Sequence, residues 1–519
     1  MRQKKSARAR SLATATAAAM AASATLTLVA GAATGGDDTA ITIYSSAQPG
    51  AISPELYRPV PGSGLPNAMS VPGYAMVRHD RAIKLAAGRS QLKFSDIAGL
   101  IDPTTVTFTS VTDPRTRVLE QNFQFDLVST DKLLQKFIDK PITVERAVGN
   151  QTSTVSGTLL SAVDGLVLRG NDGSIHALRD YSAVRFPDLP GGLETKPTLV
   201  WELNAPQGGE QRTRVTYQTG GVTWWADYNL VFNEGRDANS GVLDLSAWVS
   251  IINQSGTSYP DAKLKLIAGD VHRAPTPQVA RGRMLELQKM SAAVADDGGF
   301  EQKDFFEFHL YTLGRRATLP NNSTKQIELF DQAKQIPAKK VLLYYGLAQP
   351  YLWGSPNTNR ELGLAMNTKV DVYLEFRNDK KLGLGVPLPA GRIRVSKLDD
   401  ADGSLEFIGE DLIDHTPKDE QVRVKMGSAF DVVGERRQVD FAVDAKSQWM
   451  EEEFEIKLRN HKDQSVDVLV KENLYRWSNW RLLSQSHSFD KEDARTIVFP
   501  VTVAKDGATT VRYRVRYTW

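Results

Sequence analysis

Apolar and polar residues alternate at a spacing of two through most of this chain. Leu243, Leu245, Ala247, Val249 and Ile251 are separated by mostly polar neighbours, the period of a strand with one face buried. Leu264, Leu266 and Ala268 repeat the pattern, and Val511, Tyr513, Val515 and Tyr517 end the chain on strict alternation. Turn residues punctuate these runs at Asn171-Asp172-Gly173, Gly220-Gly221 and Asn253-Gln254-Ser255-Gly256, where amide side chains and glycine favour reversal of the backbone. Helical spacing is confined to short stretches, Lys132 to Phe137 behind Thr130-Asp131 and Arg283 to Val294 with Met284, Leu287 and Met290 on one side. The pattern predicts a mainly β protein.

Five segments follow from the spacing of strands and breaks. Residues 37–129 read as an N-terminal β region, opening with the strand Ile41 to Tyr44 and a loop rich in Pro, Gly and Ser. Residues 130–190 hold a short helix and five short strands, the element list of a small SH3-like or Sm-like barrel. Phe186 to Gly192 reads as a linker. Residues 195–365 form a central β domain, interrupted by a helical insertion at 278–300. Residues 366–519 carry short strands at regular intervals, so that tandem β-sandwich-like domains are expected to make up the second part of the molecule.

The first residues do not belong to this pattern. Arg2, Lys4, Lys5, Arg8 and Arg10 precede an uncharged, Ala-rich run from Leu12 to Ala30, and Ala30-Gly31-Ala32 places small residues for cleavage. This is the arrangement of a secretory signal peptide, 1–32, with cleavage near Ala32. Its removal takes away five cations and no acid, moving the formal charge from +2 to −3. The mature chain thus lacks the basic excess that binds nucleic acid. No later run is apolar enough to span a bilayer as an integral membrane segment. A periplasmic or secreted location is expected. The sequence contains no cysteine, which excludes disulfides, a thiol nucleophile and a lipid-modified N-terminal cysteine, so the cores must hold the fold without covalent help.

Two blocks of residues resemble a known family. The first is Thr219-Gly220-Gly221-Val222-Thr223-Trp224-Trp225-Ala226-Asp227-Tyr228, followed by Trp248, Asn253-Gln254-Ser255-Gly256, Asp261-Ala262 and Ala268-Gly269. The second is Leu382 to Gly391 (LGLGVPLPAG), followed by Gly409-Glu410-Asp411 and Gly427-Ser428-Ala429-Phe430-Asp431. Together they resemble the bacterial family called domain of unknown function 4139, over roughly residues 195–519. The resemblance implies no particular chemistry. Some members carry a coiled-coil insertion on the N-terminal side, and this chain shows no heptad run of that kind.

Candidate chemistry is sparse. There is no His-Glu-x-x-His, Gly-x-Ser-x-Gly, Walker or dinucleotide-binding motif. The seven histidines, His79, His176, His272, His309, His415, His461 and His487, are scattered without ligand spacing. Asp399-Asp400-Ala401-Asp402-Gly403 resembles the start of a calcium loop, but with its glycine in the sixth place the loop would begin at Leu398 and have no glutamate in the twelfth, so it reads as a hairpin turn. No metal or cofactor is expected. The densest ionisable cluster is Glu410, Asp411, Asp414 and His415, whose carboxylates beside an imidazole suit general acid–base work. The aromatic clusters offer a different chemistry. Trp224, Trp225, Asp227 and Tyr228, with Tyr351 and Trp353, are candidates for stacking a sugar or clamping a peptide. In an extended strand Trp224 and Trp225 must point to opposite faces. The reading is therefore a non-catalytic envelope scaffold or binding protein that engages a protein or a surface glycan through β-edges and aromatic faces. The alternative is an envelope hydrolase or transferase built on residues 410–415.

Overall fold

The computed structural model describes residues 37–44, 52–58, 68–124, 126–148, 151–269, 271, 300–305, 308–347, 354–362, 367–399 and 401–519. The expected signal peptide, residues 278–299 of the expected insertion, and Tyr351 and Trp353 lie outside them. Strands dominate the described residues, as the alternation predicts. Among those residues no helix is long and apolar enough to cross a membrane.

The described strands form four sheets. A sheet of eight runs from Phe300–Phe305 through Phe308–Leu313, Tyr259–Ala268, Asp38–Tyr44, Tyr74–Leu85 and Gly209–Thr219 to Ile101–Ser110, with Ala317–Leu319 added on Tyr259–Ala268. A three-stranded sheet places Thr198–Ala205 between Gly88–Phe94 and Arg117–Gln124. The segment from 130 to 190 folds as the short helix Thr130–Lys136 and five antiparallel strands. Ser129 caps that helix through a hydrogen bond from the Lys132 amide, one of the orphan donors of a helix start. The five strands follow the order Ala183–Arg185, Pro141–Val148, Gln151–Ser161, Leu166–Gly170, Ile175–Leu178, an open path around the core of Phe137, Val144, Leu159 and Leu168.

The largest sheet has thirteen strands. Its main path begins at the edge strand Leu405–Ile413, passes through Gly391–Leu398, Val222–Glu234, Ser240–Asn253, Ser323–Tyr345, Lys369–Arg377, Gln421–Asp444 and Trp449–Asn460, and ends with Ala508–Thr518 and Trp480–Gln485. In two places the local alternation of the sequence reads as two strands where the structure has one. Lys325 to Leu329 and Val341 to Tyr345 read as separate strands but belong to one strand of 23 residues. Val422 to Met426 and Gln438 to Val443 likewise belong to one of 24. Pro337 in the first and Gly427 and Gly434 in the second lie at or near irregularities that the ladder absorbs. Register shifts fall between Leu243 and Trp248 opposite the first strand, and Gln335 there adopts a positive φ of 56°. A bulge of this kind bends a strand without ending it.

These long strands carry two cores in succession. One core gathers residues from Ile41 to Val424, including Trp201, Tyr217, Trp224, Tyr228, Ile336, Phe376 and Val395. The other gathers Leu342, Tyr344, Val370, Val432, Phe454, Phe499, Tyr513 and Tyr517. The division between cores thus falls inside Ser323–Tyr345, Lys369–Arg377 and Gln421–Asp444. The N-terminal strands up to 124 and the central strands share the first core.

Candidate functional site

The strand Val222–Glu234 places alternate side chains on opposite faces of the large sheet. Trp224, Ala226 and Tyr228 point into the first core, each at most 1% exposed. Trp224 donates from its indole nitrogen to the Ile267 carbonyl at 3.2 Å, and the Tyr228 hydroxyl donates to the Pro389 carbonyl at 2.7 Å. Both large polar aromatics find the partner that burial demands. Their neighbours Trp225 and Asp227 face the other way, into a cleft of about 390 Å³.

Strand pairing assembles the floor of this cleft. Trp225 lies opposite Ser250, and Asp227 opposite Trp248, on the antiparallel neighbour Ser240–Asn253. Ser250 in turn lies opposite Gln326. On the other side Asp227 pairs with Arg392 of the parallel strand Gly391–Leu398, and Arg394 lies opposite Glu410 of the edge strand. A Cβ at position 391 would stand 2.3 Å from the Ala226 carbonyl oxygen, so glycine is what lets these two parallel strands meet. One wall comes from the N-terminal segment. Ile52 and Leu56 pack on Ile252, Tyr57 and Trp225 join that cluster, and the Gln254 amide donates to the Leu56 carbonyl at 3.3 Å. The Tyr57 and Trp225 rings are tilted at 45° with centroids 5.4 Å apart, and the Arg58 guanidinium lies 5.4 Å from the Tyr57 ring centre.

A chain of hydrogen bonds fixes the polar groups. The Gln326 amide donates to Ser250 Oγ at 3.1 Å, and Ser250 Oγ donates to Asp227 Oδ2 at 2.7 Å. Arg394 Nη1 donates to Asp227 Oδ1 at 3.2 Å, while its Nε stands 3.7 Å from Glu410 Oε2. Arg392 Nη1 is 3.5 Å from Glu410 Oε1. Asp227, 7% exposed, has both oxygens engaged by donors, which offsets the cost of burying a polar group. Its role here is to hold Arg394. Arg58, by contrast, is exposed and has no carboxylate within ion-pair distance among the described residues.

The cluster Glu410, Asp411, Asp414 and His415 does not converge. Glu410 turns toward Arg392 and Arg394. Asp411, one residue on in the same strand, turns to the other side and accepts from the Lys425 amide at 2.6 Å. Asp414 faces solvent. His415 Nδ1 accepts from the Ala390 amide at 3.0 Å. Three residues singled out in the sequence, Trp225, Asp227 and Glu410, therefore share one neighbourhood, and Trp224, Tyr228, Asp411, Asp414 and His415 do not join them. Arg58, Ser250, Gln326, Arg392 and Arg394 escape motif reading. The recurrence of arginine at 392 and 394, directly after the LGLGVPLPAG block, is the signal that could have found two of them. Trp248, 37% exposed on the same face as Asp227, is a further aromatic at the rim.

Two other polar features are distinct from this cleft. His79, 4% exposed, lies at a cavity of about 590 Å³ and has Nδ1 3.0 Å from Thr39 Oγ1 and Nε2 3.1 Å from the Tyr217 hydroxyl. Both ring nitrogens are thus occupied by hydroxyls. The edge strand Leu405–Ile413 has Gly391–Leu398 as its single ladder partner among the described strands and exposes Leu405 and Phe407 by 57% and 62%. Among the described residues no group of His, Asp and Glu is arranged to hold a metal ion. No family model, no curated protein and no solved structure matches this chain.

Proposed function

We propose that this protein is an exported, non-catalytic scaffold or binding protein of the cell envelope, a member of the domain of unknown function 4139 family, that engages a surface glycan or a protein at the Trp225 cleft. The N-terminal charge and hydropathy pattern supports export. Support for binding comes from one observation. The cleft brings a half-buried aromatic ring, hydrogen-bonding side chains and arginines to one surface, while the carboxylates that would carry acid–base chemistry are tied to arginine or point elsewhere. Clefts of this size with a few fixed polar groups serve recognition. Beside it the strand Leu405–Ile413 packs its second half against Lys425 and Met426 and leaves Leu405 and Phe407 exposed as an apolar surface for a protein partner.

The test is a panel of envelope polysaccharides and peptides, with binding measured by calorimetry and polymer cleavage followed in parallel. Binding that falls about tenfold or more in Trp225→Ala, as loss of an aromatic anchor predicts, with no cleavage products, is the expected result. Turnover that Asp411→Asn or Glu410→Gln abolishes would overturn the proposal in favour of an enzyme.

A further inference from the structure

The cleft's charge and shape together select a ligand class. Three guanidinium groups line it, those of Arg58, Arg392 and Arg394, against two carboxylates, Asp227 and Glu410. Asp227 is committed to Arg394 and Ser250. Glu410 divides itself between Arg392 and Arg394 at 3.5 and 3.7 Å and is 44% exposed, the kind of solvated pair that contributes little and yields readily. Arg58 has no carboxylate partner among the described residues. Among the described residues the cleft therefore holds one cation without a carboxylate partner and a second that a ligand anion can take from Glu410. A guanidinium fork matches a carboxylate in two parallel hydrogen bonds.

An anion alone leaves half the cleft unexplained. Trp225 presents a half-buried ring face braced by Tyr57, and Trp248 stands exposed on the same sheet face. Gln326 and Thr324 add exposed amide and hydroxyl groups. A flat apolar face beside hydroxyl partners and an arginine pair fits a pyranose ring carrying a carboxylate, with its C–H face on Trp225 and its acid group toward Arg392 and Arg58. An acidic peptide without ring side chains would use the arginines but leave the tryptophan face unfilled. We infer that the cleft binds an acidic saccharide of the uronic-acid type. This inference rests on the binding function proposed above.

Three probes separate its parts on the full-length mature protein: oligogalacturonate, its methyl ester, and oligoglutamate. The ester keeps the ring and removes the charge, and the peptide keeps the charge and removes the ring. Oligogalacturonate is expected to bind at least about tenfold tighter than either, the value of a charge-assisted hydrogen bond pair, and to weaken by about the same factor in Arg392→Gln and in Trp225→Ala. Thermal unfolding of each variant establishes that it is folded, and Arg58→Gln, on an exposed side chain, supplies an independent loss of charge. Equal binding of the methyl ester, still dependent on Trp225, would overturn the acidic class and leave a neutral-glycan binding protein. Preference for oligoglutamate would overturn the saccharide. Failure of all three probes overturns the inference, and only failure of the whole polymer and peptide panel as well would overturn the binding function.

Discussion

At the scale of single residues, burial and pairing decide what each ionisable group can do. The second core contains two arginine–glutamate pairs with almost no exposure, Arg436–Glu472 at 2.9 Å and Arg476–Glu452 at 2.7 Å. Tyr513 donates to Glu472, and Tyr475 donates to Glu452 at 3.1 Å. Burial pushes the Glu452 carboxyl above its usual range, against the pull of Arg476. Arg476 also reaches out of the core, donating to the carbonyls of Asn357 and Asn359 at 3.0 and 2.6 Å, and so ties the 354–362 segment down. Removing one partner strands the other charge, so Arg476→Met is expected to cost about 3–5 kcal/mol in urea unfolding, and Arg476→Met with Glu452→Leu to recover most of it. A double variant no more stable than the single one would show the loss to come from the tethered segment instead. His79 supplies a pH dependence. Desolvation first, and Arg81 second, lower its pKa from 6.5 to about 3. The unfolded chain then takes a proton that the folded chain refuses, so stability falls as pH drops from 6.5 toward 3 by up to about 1.4 kcal/mol per unit. Unfolding curves at pH 7, 5.5 and 4.5 are expected to show a shallower fall in His79→Gln than in the natural sequence. Parallel curves would mean that His79 is not neutral in the fold.

At the scale of elements, strand periodicity explains both what the sequence reveals and what it hides. The alternation in Leu243 to Ile251 places those five side chains in the core, and the same rule separates Trp224 from Trp225. Applied to residues 410–415 it would also have separated Glu410 from Asp411, which look clustered only when read along the chain. The cleft was less legible, because its members come from four stretches joined by register, Trp225 and Asp227, Ser250, Gln326, and Arg392 and Arg394, and a fifth, Tyr57 and Arg58, joined by packing. No local motif encodes such a neighbourhood. A second device hidden in plain turn chemistry is the asparagine at strand ends. Asn253, Asn378 and Asn460, each at most 1% exposed, use the side-chain amide to donate to at least two loop carbonyls while Oδ1 accepts from a backbone amide. In sequence Asn253 reads as a strand break, but in the fold it is a clasp across Leu319 and Pro320. Asn460→Ala would take this donor from the Gln464, Val503 and Ala504 carbonyls, of which Val503 keeps Ser465 Oγ and Ala504 keeps the Gly507 amide, and is expected to cost about 1–3 kcal/mol in all. Asn460→Asp, which keeps shape and acceptor but loses both donors, is expected to be no better in a thermal melt. A melt of Asn460→Asp close to that of the natural sequence would sink the clasp.

At the scale of the whole molecule, the two cores are not joined as beads on a linker. Ser323–Tyr345 contributes Ile327, Leu329 and Ile336 to the first core and Leu342 and Tyr344 to the second. Lys369–Arg377 does the same with Phe376 and Val370, and Gln421–Asp444 with Val424 and Val432. Hydrogen bonding along these strands is continuous across the division: Lys339 to Tyr344 pair with Lys369–Arg377, while Leu342 to Tyr345 also pair with Val466–Asn473. Fraying one core thus unpairs backbone groups that belong to the other, and a buried unpaired amide or carbonyl is costly. Independent unfolding of the two halves would need a break inside three strands at once. The expected outcome is a shared transition. Phe454→Ala, at a side chain 1% exposed in the second core, should cost about 3–5 kcal/mol. It should lower the midpoint reported by far-UV circular dichroism together with that reported by an ¹⁹F label on Trp224, which lies in the first core. A Trp224 signal that melts at its original midpoint while the circular dichroism loses part of its amplitude earlier would show that the long strands hinge between the cores, and that the Trp225 cleft is held by the first core alone.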